Sequence, residues 1–500
     1  MPVASDAQFG LEPGSVFDIV KGSESSRLAP AAAWYFREEW VAVRKPFDSH
    51  PAARTSPFLW VASPHHIEAA QFEDETTLSL PSGARVPLSL VPKLSSNRSF
   101  FDDSSRRFFE KRSVAARGSY RGETSEGSPS QRFIARTLWP LDWHLAAASR
   151  AATSQETLQG ILARAFAQAP DQFRTHTVWQ RESAAPSDDT PRAVLSLVLN
   201  GAQGDDDEAL GGHFAVATGW LQKDGRFDQW TVNNFYSLDT VSEKGILAAM
   251  VPMDSYMTDL NSGQSWYRPS YVLVAVLKEP SAAEDFQGAM EKTFERFYAH
   301  DIAYDHARAN CAGISVDTLA ALGWHPPERG PTSRTKAIAG YYYSAITDQS
   351  FAAGRKTYRY LTEEQVRLYP RAAFEALGAD LLSLVRGERK PTSDYEARLA
   401  SSVDRLLFVE IPQIPSSRAP GSAPAGSFDE YMSRVPADRD QWKVVPVPPR
   451  PFPEALRGTP KAEPVVSDAT IGIGSAFLPA ALLWGASRIW RSRRRRREAA

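Results

Sequence analysis

Cys311, the only cysteine among 500 residues, stands in Asn310-Cys311-Ala312-Gly313, where the pattern predicts a helix start. Far upstream, Gly211-Gly212-His213-Phe214-Ala215-Val216-Ala217 puts a histidine at the head of a strand. A thiol at a helix N-terminus gains from unpaired amides and the macrodipole, which lower its pKa. An imidazole on a neighbouring strand would take its proton, so the two residues read as a cysteine nucleophile with a histidine base. The bland alternative is a small buried cysteine and a hydrogen-bonded core histidine.

The elements around them must bring the two together. Alternation puts Phe214 and Val216 on one strand face and His213, Ala215 and Ala217 on the other. The small residues on the histidine's face would let a helix approach closely. Trp230-Thr231-Val232-Asn233-Asn234 ends in two amides. If Val232 shares the face of Val216, Asn233 shares that of His213; Asn234 is the alternative. Either amide would hold the imidazole in its useful tautomer. Cys311, Ile314, Thr318 and Leu322 form one helical stripe, which would pack on the sheet and turn the thiol inward. The Cys311 backbone amide is a natural oxyanion donor. His306, five residues before the cysteine, competes as base but reads as a solvated loop residue.

Strand signals cover 193–199, 213–221, 229–236 and 271–277, and helical ones 282–300 and 311–322, within a domain of residues 191–350. Residues 1–30 read as a weakly ordered lead-in and 31–190 as a mixed α/β domain of unknown role. In the latter, 59–62 and 77–80 alternate like strands around the turn Pro81-Ser82-Gly83, 112–132 reads as a loop, and 153–168 as an amphipathic helix. A helical extension is expected over 351–411, with a Pro-rich linker over 412–466. His65 and His66 with Glu68 make a poor metal site, because adjacent strand residues face opposite ways. The acidic run Asp205–Glu208 reads as a solvated loop. No metal or cofactor is expected, and no phosphate-binding loop or dinucleotide fingerprint occurs.

A formal net charge of −2 argues against a nucleic-acid-binding body. A single cysteine rules out an intrachain disulfide without ruling out export. Residues 469–487 contain no charged side chain and precede Arg488, Arg491 and the block Arg493–Arg497. This predicts a transmembrane helix over 469–490 with a basic tail, 491–500, on the cytoplasmic side. The body would then be periplasmic, although residues 1–20 carry no basic start followed by an apolar core. An interfacial helix, or insertion the other way, is the alternative.

The order HFAVATG, a polar residue on the next strand, then NCAGISVDTLAALG resembles the permuted branch of the NlpC/P60 papain-like superfamily. That branch holds the lecithin:retinol acyltransferase-like proteins and the periplasmic N-terminal domain of a bacterial lipoprotein N-acyltransferase. The resemblance covers about residues 190–330. It implies an α+β fold, an antiparallel sheet packed by the cysteine-bearing helix, with Cys311 as nucleophile, His213 as base and Asn233 (or Asn234) as third residue. The expected function is a membrane-tethered bacterial cysteine hydrolase, amidase- or peptidase-like, acting on an acyl or peptide amide bond of a cell-envelope peptide, lipid or lipoprotein. A lipid or lipoprotein acyltransferase with the same thioester chemistry, and a non-catalytic envelope scaffold, are the alternatives.

Overall fold

The computed structural model describes residues from 16 to 456, apart from internal stretches of which 46–58, 93–100, 152–157, 183–189, 238–247 and 444–452 are the longest. Its centre is a run of seven strands: β1 (Arg174–Gln180), β2 (Arg192–Asn200), β3 (His213–Leu221), β4 (Thr231–Asn234), β5 (Ala249–Pro252), β6 (Ser270–Leu277) and β7 (Val403–Ile411). They lie in the order β5-β4-β3-β2-β6-β7-β1, each antiparallel to its neighbours. In β2 and β6 the apolar residues do not alternate with polar ones, and both strands are buried almost throughout. Strands of that composition need cover on both faces of the sheet.

Helices supply one cover: α1 (Ser281–Tyr298), α2 (Cys311–Leu322), and later α3 (Arg334–Thr347), α4 (Phe351–Thr362), α5 (Gln365–Leu368) and α6 (Pro370–Val385). Gln287 of α1 accepts from Thr218 at 2.7 Å and from Asn233 at 3.1 Å, which fixes α1 on the face carrying Val216. Gly378 lets α6 close on the same face, where an added Cβ would stand 3.0 Å from Leu158 and Leu273. The helix α2 lies between them, joined to α1 through Thr293 and Thr318 and packed along β3.

The opposite face is met by a closed five-stranded barrel of His65–Asp74, Thr77–Ser79, Arg85–Leu90, Ser128–Pro140 and Val114–Ser125. Arg117 of the barrel donates to Asp254 at 2.8 Å with both side chains almost wholly enclosed, and Arg136 donates to Asp259 at 2.5 Å. Replacing one member of a buried pair strands the other charge, at a cost of about 3–5 kcal/mol. Arg117→Met is therefore expected to lower urea-unfolding stability by that amount. An effect below about 1 kcal/mol would mean the two domains do not depend on this contact.

The mixed α+β class is as expected, but the sheet runs past the expected domain. Leu59–Val61, Trp40–Lys45, Val16–Lys21 and Arg150–Ala151 extend it to eleven strands, so part of residues 1–30 is strand. The expected loop over 112–132 is instead the longest hairpin of the barrel. Its Ser, Gly and Arg content includes the exposed Arg121 and Gly122, while Val114, Ala115 and Ala116 point into the core. The helical extension stops short of its expected end. Leu406-Leu407-Phe408-Val409 forms β7, because pairing with both β1 and β6 buries those side chains on two faces. Residues 419–443 fold back on the body instead of acting as a spacer, through the bridge Ala202–Ser422 and a helix over Phe428–Arg434. The segments 469–490 and 491–500 lie outside the described residues. Among the described ones, no helix is long and apolar enough to cross a membrane.

Candidate active site

Asn310 caps α2, its side-chain oxygen accepting from the amides of Ala312 at 3.0 Å and Gly313 at 2.9 Å. Its amide nitrogen donates to the carbonyls of His306 and Leu368, so the helix start is held from both sides. An N-cap of this kind is worth about 1 kcal/mol and places the next residue, Cys311, at the first helical position. At the strand, Gly212 has φ +72°, and a Cβ there would stand 2.3 Å from the Asn200 carbonyl. Only glycine fits that position, and it turns the chain so that His213 heads β3.

The sulfur sits at this strand head. The amides of Phe214 and Ala312 and the Tyr304 hydroxyl lie close enough to it to pull the thiol's pKa down. His213 Nε2 lies 2.7 Å from Asn234 Oδ1. An amide oxygen only accepts, so Nε2 carries the proton and Nδ1 is the basic nitrogen. Cys311 and His213 line one cavity of about 490 Å³, walled also by Gly211, Gly212, Tyr236, Arg268, Tyr304 and Tyr360 among others. Among the described residues no hydrogen bond joins the sulfur to the imidazole; Tyr304 and the two amides act on the thiol electrostatically.

Two expectations need correction. Val216 pairs with Asn233, not with Val232, so the register is one residue away from the one assumed. A one-residue slip exchanges faces. Asn233 therefore faces α1, bonded to Gln287 and the Val216 carbonyl, and it is Asn234 that reaches the histidine. The cysteine helix packs on the face of Phe214 and Val216, not on the small-residue face. Cys311 and His213 therefore reach their shared cavity from opposite faces, around the end of the sheet and not across it.

Electrostatics also departs from the simple helix-start expectation. Burial pushes the Cys311 thiol above its ordinary 9.0, although the amides of Phe214 and Ala312, the Tyr304 hydroxyl and the Arg268 charge all pull the other way. Burial, aided by the Arg268 charge, lowers His213 from 6.5 to about 3 against the opposing bond from Asn234. Desolvation outweighs the helix terminus, and at neutral pH the resting pair is thiol and neutral imidazole.

His306 lies on the cavity wall, its ring edge-on to Tyr304 at 5.2 Å, as an exposed residue of the connecting loop. His65 and His66 do not share a site. His66 instead approaches Asp228 and Asp254, with ligand atoms within 4.8 Å of one another. Arg226 and Arg117 already pair with those carboxylates, which reads as an ion network joining barrel to sheet. Sequence reasoning missed Tyr304 and Arg268. Nothing marks Arg268 in the chain, whereas Tyr304 had one signal: an aromatic hydroxyl a short loop before the helix cap.

No family model, curated protein or solved structure matches the chain. The site has to be judged on its own geometry.

The two asparagines give a clean contrast. Asn234→Ala is expected to slow acylation of Cys311 about ten- to hundredfold, part of the 10²–10⁴ a positioned base supplies, besides the roughly 1–3 kcal/mol of losing a buried hydrogen bond. Asn233→Ala should cost about 1–3 kcal/mol by stranding Gln287, and leave the rate nearly unchanged. Stopped-flow ester kinetics beside urea melts measure both. The reverse pattern would return the third position to Asn233.

Proposed function

We propose that this chain is a papain-like cysteine hydrolase of the permuted type, acting on an acyl or peptide amide bond. The observation that carries this is that Cys311 and His213 line one cavity, while Asn234 behind the imidazole accepts from Nε2 and so leaves Nδ1 as its basic nitrogen. The thiol proton passes to His213 Nδ1 as Sγ attacks the carbonyl carbon, so no preformed thiolate is needed. The carbonyl oxygen becomes an oxyanion, taken by the Cys311 amide and the Tyr304 hydroxyl. The imidazolium then protonates the departing nitrogen, the C–N bond breaks, and a thioester remains. A water deprotonated by Nδ1 attacks it, releasing the acid and restoring the thiol.

An amine in place of that water makes the same site an acyltransferase. The uncharged stretch 469–487 with its arginine block favours that second reading, since a membrane tether would hold the body beside lipid and lipoprotein acyl groups. On either reading the body would lie in the bacterial periplasm and act on the envelope.

Mixing the full chain with 4-nitrophenyl acetate tests the reading. A burst of one nitrophenolate per chain followed by slower turnover is expected, as acyl-enzyme forms and is hydrolysed. Absence of a burst at every pH where the chain stays folded would favour a non-catalytic envelope scaffold.

A further inference from the structure

Arg268 lines the same cavity and is only 4% exposed. One terminal nitrogen, Nη1, donates to the Gly201 carbonyl at 3.1 Å. Nε is buried with no hydrogen-bond partner, and among the described residues no protein acceptor meets Nη2 and no carboxylate forms an ion pair with the guanidinium. Asp206 acts on it only through space. Among the described residues no aspartate or glutamate lines the cavity, while Lys356 stands on its wall. Burying a guanidinium with no carboxylate in contact is costly, and a ligand that supplies the anion recovers the cost. Nε is sealed from the cavity, so the charged donor left to a ligand is Nη2, whose N–H groups suit a carboxylate oxygen.

We propose that Arg268 binds a substrate carboxylate, and that the acyl compound attacked by Cys311 carries this carboxylate close to the scissile carbon, as at the free end of a peptide or in an N-acyl amino acid. The assignment rests on the cysteine-enzyme reading above and narrows its substrate class. It also distinguishes the site from one that selects neutral amides.

Iodoacetate and iodoacetamide differ only in carrying a carboxylate or a carboxamide beside the reacting carbon. With either, the Cys311 thiolate attacks the methylene carbon, the C–I bond breaks and iodide leaves. Since Cys311 is the only cysteine, total incorporation reports this site alone. Both reagents use the same thiolate, so a changed thiol pKa cancels in their rate ratio. In the full chain the iodoacetate-to-iodoacetamide ratio should exceed that of glutathione at least tenfold. Arg268→Gln should bring it to the glutathione value. Arg268→Lys, which keeps the charge but places no N–H where Nη2 stands, should remove most of the preference. N-acetylglycine should protect Cys311 at lower concentration than glycerol 3-phosphate.

A wild-type ratio equal to that of glutathione overturns the proposal without any variant having to fold. So does a preference that survives in both variants, and stronger protection by the phosphate would replace the carboxylate with a phosphoryl group. A Cys311 inert to both reagents until the chain unfolds sinks the cysteine-enzyme reading itself, and the carboxylate assignment falls with it.

Discussion

Cys311→Ala should abolish the 4-nitrophenyl acetate burst and lower turnover by about 10⁴-fold or more, toward the residual rate left by binding and oxyanion contacts alone. The size follows from the chemistry: without sulfur there is no thioester, and a direct attack by water has no second nucleophile to split the step. Cys311 is buried on a helix whose start is secured by Asn310 and not by the cysteine itself, so the fold should survive. The removed group is small, and the stability cost should stay within about 1–2 kcal/mol. Turnover that persists in this variant would move the chemistry elsewhere.

His213→Ala should slow acylation about 10²–10⁴-fold, the range a positioned general base supplies. Its pH dependence is more specific. With His213 held near 3, the base is unprotonated throughout the neutral range, so the acid limb of kcat/KM attributable to it should fall far below the 6.5 of a free imidazole. Thiolate-dependent alkylation should instead climb with pH through the neutral range and level off only above pH 9.0, because burial raises the thiol. A thiolate–imidazolium pair would show the opposite, a rate plateau reaching into acid.

The same depressed histidine links pH to stability. Between pH 6.5 and about 3 the unfolded chain binds a proton at His213 that the folded chain refuses. Stability is thus complete above 6.5 and falls with pH through that window, by up to about 1.4 kcal/mol per unit from this group. Wild type should therefore lose more stability on acidification than His213→Ala does.

The placement of Cys311 at a helix start and His213 at a strand head was legible because residue types at element ends carry strong local signals. Asn before Cys caps a helix, and two glycines before His open a strand; both hold in three dimensions. Register was not legible. Whether Asn233 or Asn234 meets His213 depends on one residue of slip between β3 and β4, which the turn between them sets. Neither was the face of the cysteine helix, since the alanines of β3 suit close approach while Gln287 and Gly378 tie the helical layer to the other side. β7 reads as part of a helical region because its apolar run is too short for periodicity to decide; its pairing with β6 and β1, both distant in sequence, decides instead. Arg268 had no local signal at all. Its burial beside the thiol comes from tertiary packing, and a lone arginine before a strand is ordinary.

The most direct measurement is intact and peptide mass spectrometry of the folded chain quenched in acid during turnover of 4-nitrophenyl acetate, with wild type and His213→Ala side by side. The expected result is a hydroxylamine-labile acetyl group on the peptide containing Cys311. It should form within the burst in wild type and orders of magnitude more slowly in the variant. Ester hydrolysis with Cys311 left unmodified, or acylation that proceeds at the same rate without the imidazole, would contradict a sulfur served by His213.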